Sequence, residues 1–144
     1  INLSSEAHRM GKFSIGNLNA EKKFSTWKQY GATKLMNILF TKALANKYAE
    51  KGLLAFAVHP GVVKSGFGAN NTGFLKYFNK MPFLISPEKG AETSVYLATQ
   101  TKEKLSNGGY YKRCQISYSS LESQDVVSQN QLWDISMKMI KSYL

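Results

Sequence analysis

Residues 31–61 read GATKLMNILFTKALANKYAEKGLLAFAVHPG, and the fold depends on how this stretch divides. From Gly31 to Glu50 there is no proline and no glycine after the first position, while Leu35, Met36, Leu39, Phe40, Ala43 and Leu44 recur at helical spacing. That pattern predicts a helix. Gly52 ends it, and Leu53-Leu54-Ala55-Phe56-Ala57-Val58 follows as an apolar run stopped by His59-Pro60-Gly61. A run without polar alternation predicts a strand buried on both faces, and therefore a parallel sheet covered by helices.

Downstream, the pattern weakens between Val62 and Ser86 into small, polar and aromatic residues such as Gly66, Asn70, Phe74, Tyr77 and Phe78. Residues 64–86 are expected to form a lid, a loop with one short helix. Ser86-Pro87 then opens a second helix running to about Thr99, with serine as the cap and proline at the first helical position. Gly108-Gly109-Tyr110-Tyr111 reads as a turn entering a strand, and Leu132, Ile135, Met139 and Tyr143 as a C-terminal amphipathic helix. Leu132, Trp133, Ile135 and Met139 are assigned to the core. Alternating strands and helices make residues 1–144 one α/β domain. Only about three strands are foreseen, half the number of a full doubly wound sheet.

Composition narrows the function classes. The chain of 144 residues, 43% hydrophobic and 12% aromatic, has the makings of one packed core. Its net charge of +10 suggests phosphate binding, but the 19 cations are spread along the chain and only Arg9 and Arg113 are arginines. A solvated basic surface is expected, not a nucleic-acid interface. Cys114 is the single cysteine, which excludes an intrachain disulfide and a cysteine metal site and fits a reducing, cytoplasmic setting. His8 and His59 stand too far apart in sequence, without further ligands, to suggest a metal. No stretch is long and apolar enough to span a bilayer, although Phe74-Leu75-Lys76-Tyr77-Phe78 leaves membrane-surface contact open. Ile1-Asn2-Leu3-Ser4-Ser5 begins as if within an apolar strand, so the chain reads as truncated at its N-terminus.

Tyr30 and Lys34 stand four apart at the start of the expected helix, on one face. An unperturbed tyrosine, with a pKa of about 10, accepts a proton poorly near neutrality, and a neighbouring ammonium corrects this by favouring tyrosinate. Alone the pair is weak evidence: with 8 tyrosines in 144 positions and the lysines so numerous, chance supplies about one Tyr-x-x-x-Lys. Its setting is more specific. Ser5 closes a strand before it, and Pro60-Gly61-Val62-Val63-Lys64-Ser65 follows the next strand.

In that order these elements resemble the short-chain dehydrogenase/reductase family, which has a strand-end serine, Tyr-x-x-x-Lys, and Pro-Gly-x-Val-x-Thr after the following strand. Stretches such as Asn2-Leu3-Ser4-Ser5-Glu6-Ala7-His8, Asn37-Ile38-Leu39-Phe40-Thr41 and Val58-His59-Pro60-Gly61 are similar to its retinol-dehydrogenase-like subgroup. The resemblance implies the C-terminal part of a Rossmann-type, doubly wound, three-layer sheet, with the N-terminal strands missing from this chain. It implies an NAD(P)-dependent oxidoreductase acting on a small hydrophobic alcohol, aldehyde or ketone. Tyr30 is then the general acid/base, Ser5 the hydrogen-bond donor to the substrate oxygen, with Ser4 structural. Lys34 favours tyrosinate and holds the nicotinamide ribose. Pro60, Gly61, Val62, Val63 and Ser65 line the cofactor, Val63 through its backbone and Ser65 near the phosphates, where the family often has threonine.

Two departures qualify this. The Ser5 to Tyr30 interval is long, so residues 7–27 are expected to form an extra loop near the substrate entrance. The sequence also lacks the glycine-rich turn that holds the dinucleotide pyrophosphate at a helix N-terminus, leaving NAD and NADP both open as cofactor. An alternative is an inactive fragment of such an enzyme, acting through its Tyr30–Glu50 helix as an interaction surface. A homo-oligomer through that helix is the related expectation.

Overall fold

The computed structural model describes residues 1–64 and 84–143. Four strands form one sheet in the order β1 (Asn2–Leu3), β2 (Ala57–His59), β3 (Tyr110–Lys112), β4 (Gln115–Ser117). β1, β2 and β3 are parallel, with Asn2 beside Ala57 and Ala57 beside Tyr110. β4 returns antiparallel through the tight turn Arg113-Cys114, both residues at positive φ. The parallel sheet is as expected; the antiparallel fourth strand is not. Three residues, two of them polar, are too few to declare a strand in sequence.

α1 (Thr26–Tyr48) is the longest element. It begins five residues before the expected start, because Trp27, Lys28 and Gln29 continue a helix without adding to its apolar periodicity. Tyr30 therefore lies inside the helix and not at its first turn. After Tyr48 a 3₁₀ turn, Ala49–Lys51, leads to Gly52, which at φ 74° returns its N–H to the Ala49 carbonyl.

The apolar run after Gly52 is only partly strand. Leu53 and Leu54 are 37% and 39% exposed, and burial begins at Ala55. There the Ala55 N–H is taken by the Asn107 side chain at 2.8 Å, and its carbonyl accepts the Gly108 N–H at 2.8 Å. Beyond it the side chains alternate across the sheet. Ala57 joins Ile38 and Tyr110 under α1, while Phe56 and Val58 join Leu97 and Tyr111 under α2 (Pro87–Thr99). Helices thus cover both faces, giving three layers.

α2 begins where expected, the Ser86 hydroxyl accepting the Lys89 N–H at 3.3 Å. α3 (Val126–Ile140) is capped by Asp125, whose carboxylate takes the N–H groups of Val127 and Ser128. It packs on α1 through Leu132 against Leu35 and Leu39, with Ile135 beside them. Trp133 is half-buried and stacks on Phe40 at 5.6 Å. Met139, assigned to the core, is 59% exposed, and Tyr143, read as part of the same apolar stripe, is 86% exposed. Periodicity identifies the inner stripe of a helix but not where the neighbouring helix ends.

Candidate active site

The carboxyl ends of β1 and β2 meet the first half of α1. Ser4 continues the β1 ladder, its N–H donating to the Val58 carbonyl at 2.7 Å, and its buried hydroxyl donates to the Lys34 carbonyl at 2.8 Å. Ser4 is a structural tie between strand and helix. Ser5, half-buried and extended at φ −157°, caps the 3₁₀ turn Glu6–Met10, its hydroxyl accepting the Ala7 N–H at 3.2 Å.

Lys34 bridges the two elements. Its ammonium lies 3.5 Å from the Leu3 carbonyl at the end of β1 and 5.6 Å from the centre of the Tyr30 ring. Asn37, one turn on, donates to the same carbonyl at 2.8 Å. The structure thus brings Lys34 against Tyr30 and against the strand that leads into Ser5.

A close backbone approach sets the distance between the Ser5 segment and Tyr30. A Cβ on Gly11 would lie 2.3 Å from the Gly31 carbonyl oxygen, and one on Gly31 would lie 2.6 Å from the Ala7 carbonyl oxygen. Only two glycines allow the turn after Ser5 to rest directly on the helix beside Tyr30. Further along, residues 10–36 enclose a cavity of about 360 Å³ against α1, with Met10, Leu18, Gln29 and Met36 in its wall.

A buried network that the sequence reading did not foresee anchors the same turn. His8 is fully buried, with Nδ1 2.6 Å from the Ser5 carbonyl and Nε2 3.0 Å from the Ser120 nitrogen. A carbonyl only accepts and an amide N–H only donates, so Nδ1 carries the proton and Nε2 is bare. His8 is neutral, and its ring packs edge-on against Tyr110 at 5.0 Å. The Tyr110 hydroxyl donates to Glu6 at 2.8 Å, and Glu6 also pairs with Arg9 at 3.1 Å and faces Lys112 at 3.8 Å. Burial opposes the Glu6 charge, but the bonds from Tyr110 and Arg9 and the charges of Lys112 and Arg9 outweigh it and hold the carboxyl below its usual range. Burial and the Glu6 carboxylate push the Tyr110 phenol well above its ordinary value. The one local signal was the group Glu6-Ala7-His8 directly after the paired serines.

The neutral state of His8 has a measurable consequence. Burial holds its pKa below the ordinary imidazole value of 6.5, so the unfolded chain takes up the proton first as pH falls. The stability His8 contributes is complete above about pH 6.5 and falls as the medium acidifies, at no more than about 1.4 kcal/mol per pH unit. His59, also lowered by burial, acts in the same direction. Urea denaturation between pH 7.5 and 5 should give a shallower pH dependence for His8→Gln than for the unaltered chain, His59 being common to both. Identical slopes would mean that His8 does not titrate as described.

After β2, His59, Pro60, Gly61 and Val62 line a cavity of about 670 Å³ closed on its far side by Ile85 and Lys89. His59 is 8% exposed and its Nδ1 has no partner among the described residues. Val63 pairs in parallel with Ile85, the Ile85 N–H reaching Val62 and the Lys64 N–H reaching Ile85, each at 2.9 Å. In such a pairing Val63 directs its own N–H and C=O to the opposite side, where neither is bonded among the described residues. Val63 therefore offers a donor and an acceptor on one residue. Ser65 and most of the expected lid, residues 65–83, lie outside the described residues. Among the described residues no group of His, Cys, Asp and Glu could hold a metal ion, and no helix is long and apolar enough to cross a membrane.

No family model matches the chain. Individual proteins do. It is 34% identical over 143 residues to retinol dehydrogenase 11 of Mus musculus, covering 97% of this chain and 45% of that protein. It is 31% identical over 148 residues to a WW domain-containing oxidoreductase of Drosophila melanogaster, covering 97% of this chain and 36% of the relative. The crystal structure of an uncharacterized protein from Mycobacterium paratuberculosis superposes with a TM-score of 0.70 at 26% identity, over 96% of this chain and 48% of that one. The chain spans less than half the length of each. In architecture and in sequence the chain is similar, over nearly all of its own length, to retinol dehydrogenases of the short-chain dehydrogenase/reductase family, at 30–34% identity.

Proposed function

We propose that this chain carries the proton-transfer half of an NAD(P)-dependent oxidoreductase interconverting an apolar alcohol with its aldehyde or ketone. The observation that carries the proposal is the position of Lys34, held between the Leu3 carbonyl, two residues before Ser5, and the Tyr30 ring. When bound, the nicotinamide accepts or supplies the hydride. Tyr30 exchanges the proton with the substrate oxygen, and the Ser5 hydroxyl turns from its cap on Ala7 to donate a second hydrogen bond to that oxygen. Lys34 places positive charge beside the phenol as it loses its proton, and reaches the ribose hydroxyls of the cofactor. The Val63 backbone meets the carboxamide. Ser65 is proposed on family resemblance to lie near the phosphates.

Ser65 apart, the residues assigned here serve the nicotinamide end. The glycine-rich turn that would neutralise the pyrophosphate and choose between NAD and NADP is not in this sequence. Residues 1–144 alone are therefore expected to bind either cofactor weakly, with no turnover of apolar aldehydes. Calorimetric titration with NAD(H) and NADP(H) checks this. Micromolar affinity with measurable turnover would show that the pyrophosphate turn is dispensable. A longer protein carrying both this segment and such a turn is expected to reduce the same aldehydes, and its failure to do so would remove the proposed function.

A further inference from the structure

A third cavity, of about 330 Å³, lies at the opposite end of the sheet from Ser5, lined by Lys42, Ser106, Gly108, Ile116, Ser117 and Tyr118. α1 runs back from the carboxyl ends of the strands, so Lys42, twelve residues beyond Tyr30, is displaced from it by about 18 Å along the helix. Gly108 lies in the turn that enters β3, and Ser117 pairs with Tyr110 at the same end. None of Ser5, Tyr30 and Lys34 lines this cavity, which meets the network behind the Ser5 turn at Tyr110.

Lys42 is half-buried, and among the described residues its ammonium makes no hydrogen bond or ion pair. Burial lowers its pKa from the ordinary lysine value, with no acidic neighbour to offset the loss of water. Gly108 turns at φ +75°, and a Cβ there would meet Ala45 at 3.3 Å and the Lys42 Cα and Cγ at 3.9 and 4.0 Å, so the lysine lies along a bare turn. A partly desolvated cation lining a cavity is stabilised by an anion that enters it.

Two further donors face the same space. The hydroxyls of Ser106 and Ser117 make no hydrogen bond among the described residues, whereas the nearby Ser119 hydroxyl is engaged with Ser123 and Gln124. The rim is apolar: Ile116 is 59% exposed and Tyr118 is 92% exposed. A lysine and two serines in the lining, with an exposed aliphatic and an exposed aromatic side chain beside them, complement a charged head on an apolar body.

We propose that this cavity binds an organic oxyanion, a carboxylate or phosphate on an apolar body, through Lys42 Nζ and the hydroxyls of Ser106 and Ser117. The site is independent of the Tyr30 chemistry and stands or falls without it.

The test is titration of the ¹⁵N-labelled 144-residue chain with octanoate, octyl phosphate, inorganic phosphate and octan-1-ol, following the amides of Gly108, Gly109, Ser117 and Tyr118. Octanoate or octyl phosphate is expected to shift them saturably, and the stronger of the two identifies the head group. Lys42→Gln should weaken that binding at least tenfold, and Tyr118→Ala should weaken the octyl compounds more than inorganic phosphate. In the unaltered chain the Lys42 Nζ resonance should move with the same binding curve, a readout that needs no variant. Absence of saturation by both octyl oxyanions, equal shifts with octan-1-ol, or an unmoved Lys42 resonance would overturn the proposal.

Discussion

Replacing Tyr30 with phenylalanine is expected to lower turnover about 10²- to 10⁴-fold, the range for a positioned acid/base, in a protein that carries this segment and turns over. Phenylalanine preserves the ring that packs edge-on against Trp27 at 6.3 Å and the ring face beneath Lys34, and removes the hydroxyl that carries the transferable proton. Cofactor affinity and thermal stability should change little. Steady-state kinetics with cofactor titration separates these quantities, and a variant retaining more than half the turnover would remove Tyr30 from the mechanism.

The largest structural effect is expected at Gly11. A methyl group there would overlap the Gly31 carbonyl oxygen at 2.3 Å and the Ala32 nitrogen at 2.7 Å, and both obstacles are helix backbone that cannot rotate away. Gly11→Ala should therefore destabilise the chain by about 3 kcal/mol, the upper part of the usual range for overpacking. Gly16→Ala is the control, since the nearest atom to its added methyl is the Lys22 Nζ at 3.6 Å, the far end of a flexible side chain. Urea denaturation of the two variants compares them directly. Equal stability of the pair would mean that the turn after Ser5 does not rest on α1 as described.

The parts of this architecture legible in the sequence were those written in local chemistry. Ser86-Pro87 marks the start of α2, Gly52 ends the α1 region, and Gly108-Gly109 precedes β3, because caps and turns depend on a few consecutive residues. The start of α1 was missed because Trp27, Lys28 and Gln29 extend the helix without adding to its apolar periodicity. β4 was missed because a hairpin of three paired residues leaves no periodicity to detect. In the site, the spacing of Tyr30 and Lys34 was visible and the resemblance supplied Ser5. The residues that hold Ser5 in place were not, since His8, Glu6 and Gly11 act through partners elsewhere in the chain. Local pattern does not say that His8 will meet Ser120 or that Glu6 will meet Tyr110.

Those same bonds bear on when the molecule becomes whole. Glu6 to Tyr110, Arg9 to Tyr118 and His8 to Ser120 join residues 104, 109 and 112 positions apart. Contacts of such span require closure of a very long loop, which slows their formation relative to a helix or hairpin. On a ribosome adding about 5–20 residues each second, the first ten residues wait roughly 5–20 seconds before Tyr110, Tyr118 and Ser120 exist to receive them. During that interval α1 can coil beside a turn that has nothing to fasten it. The geometry around Ser5 is therefore a late product of synthesis, completed only when the last hairpin has formed.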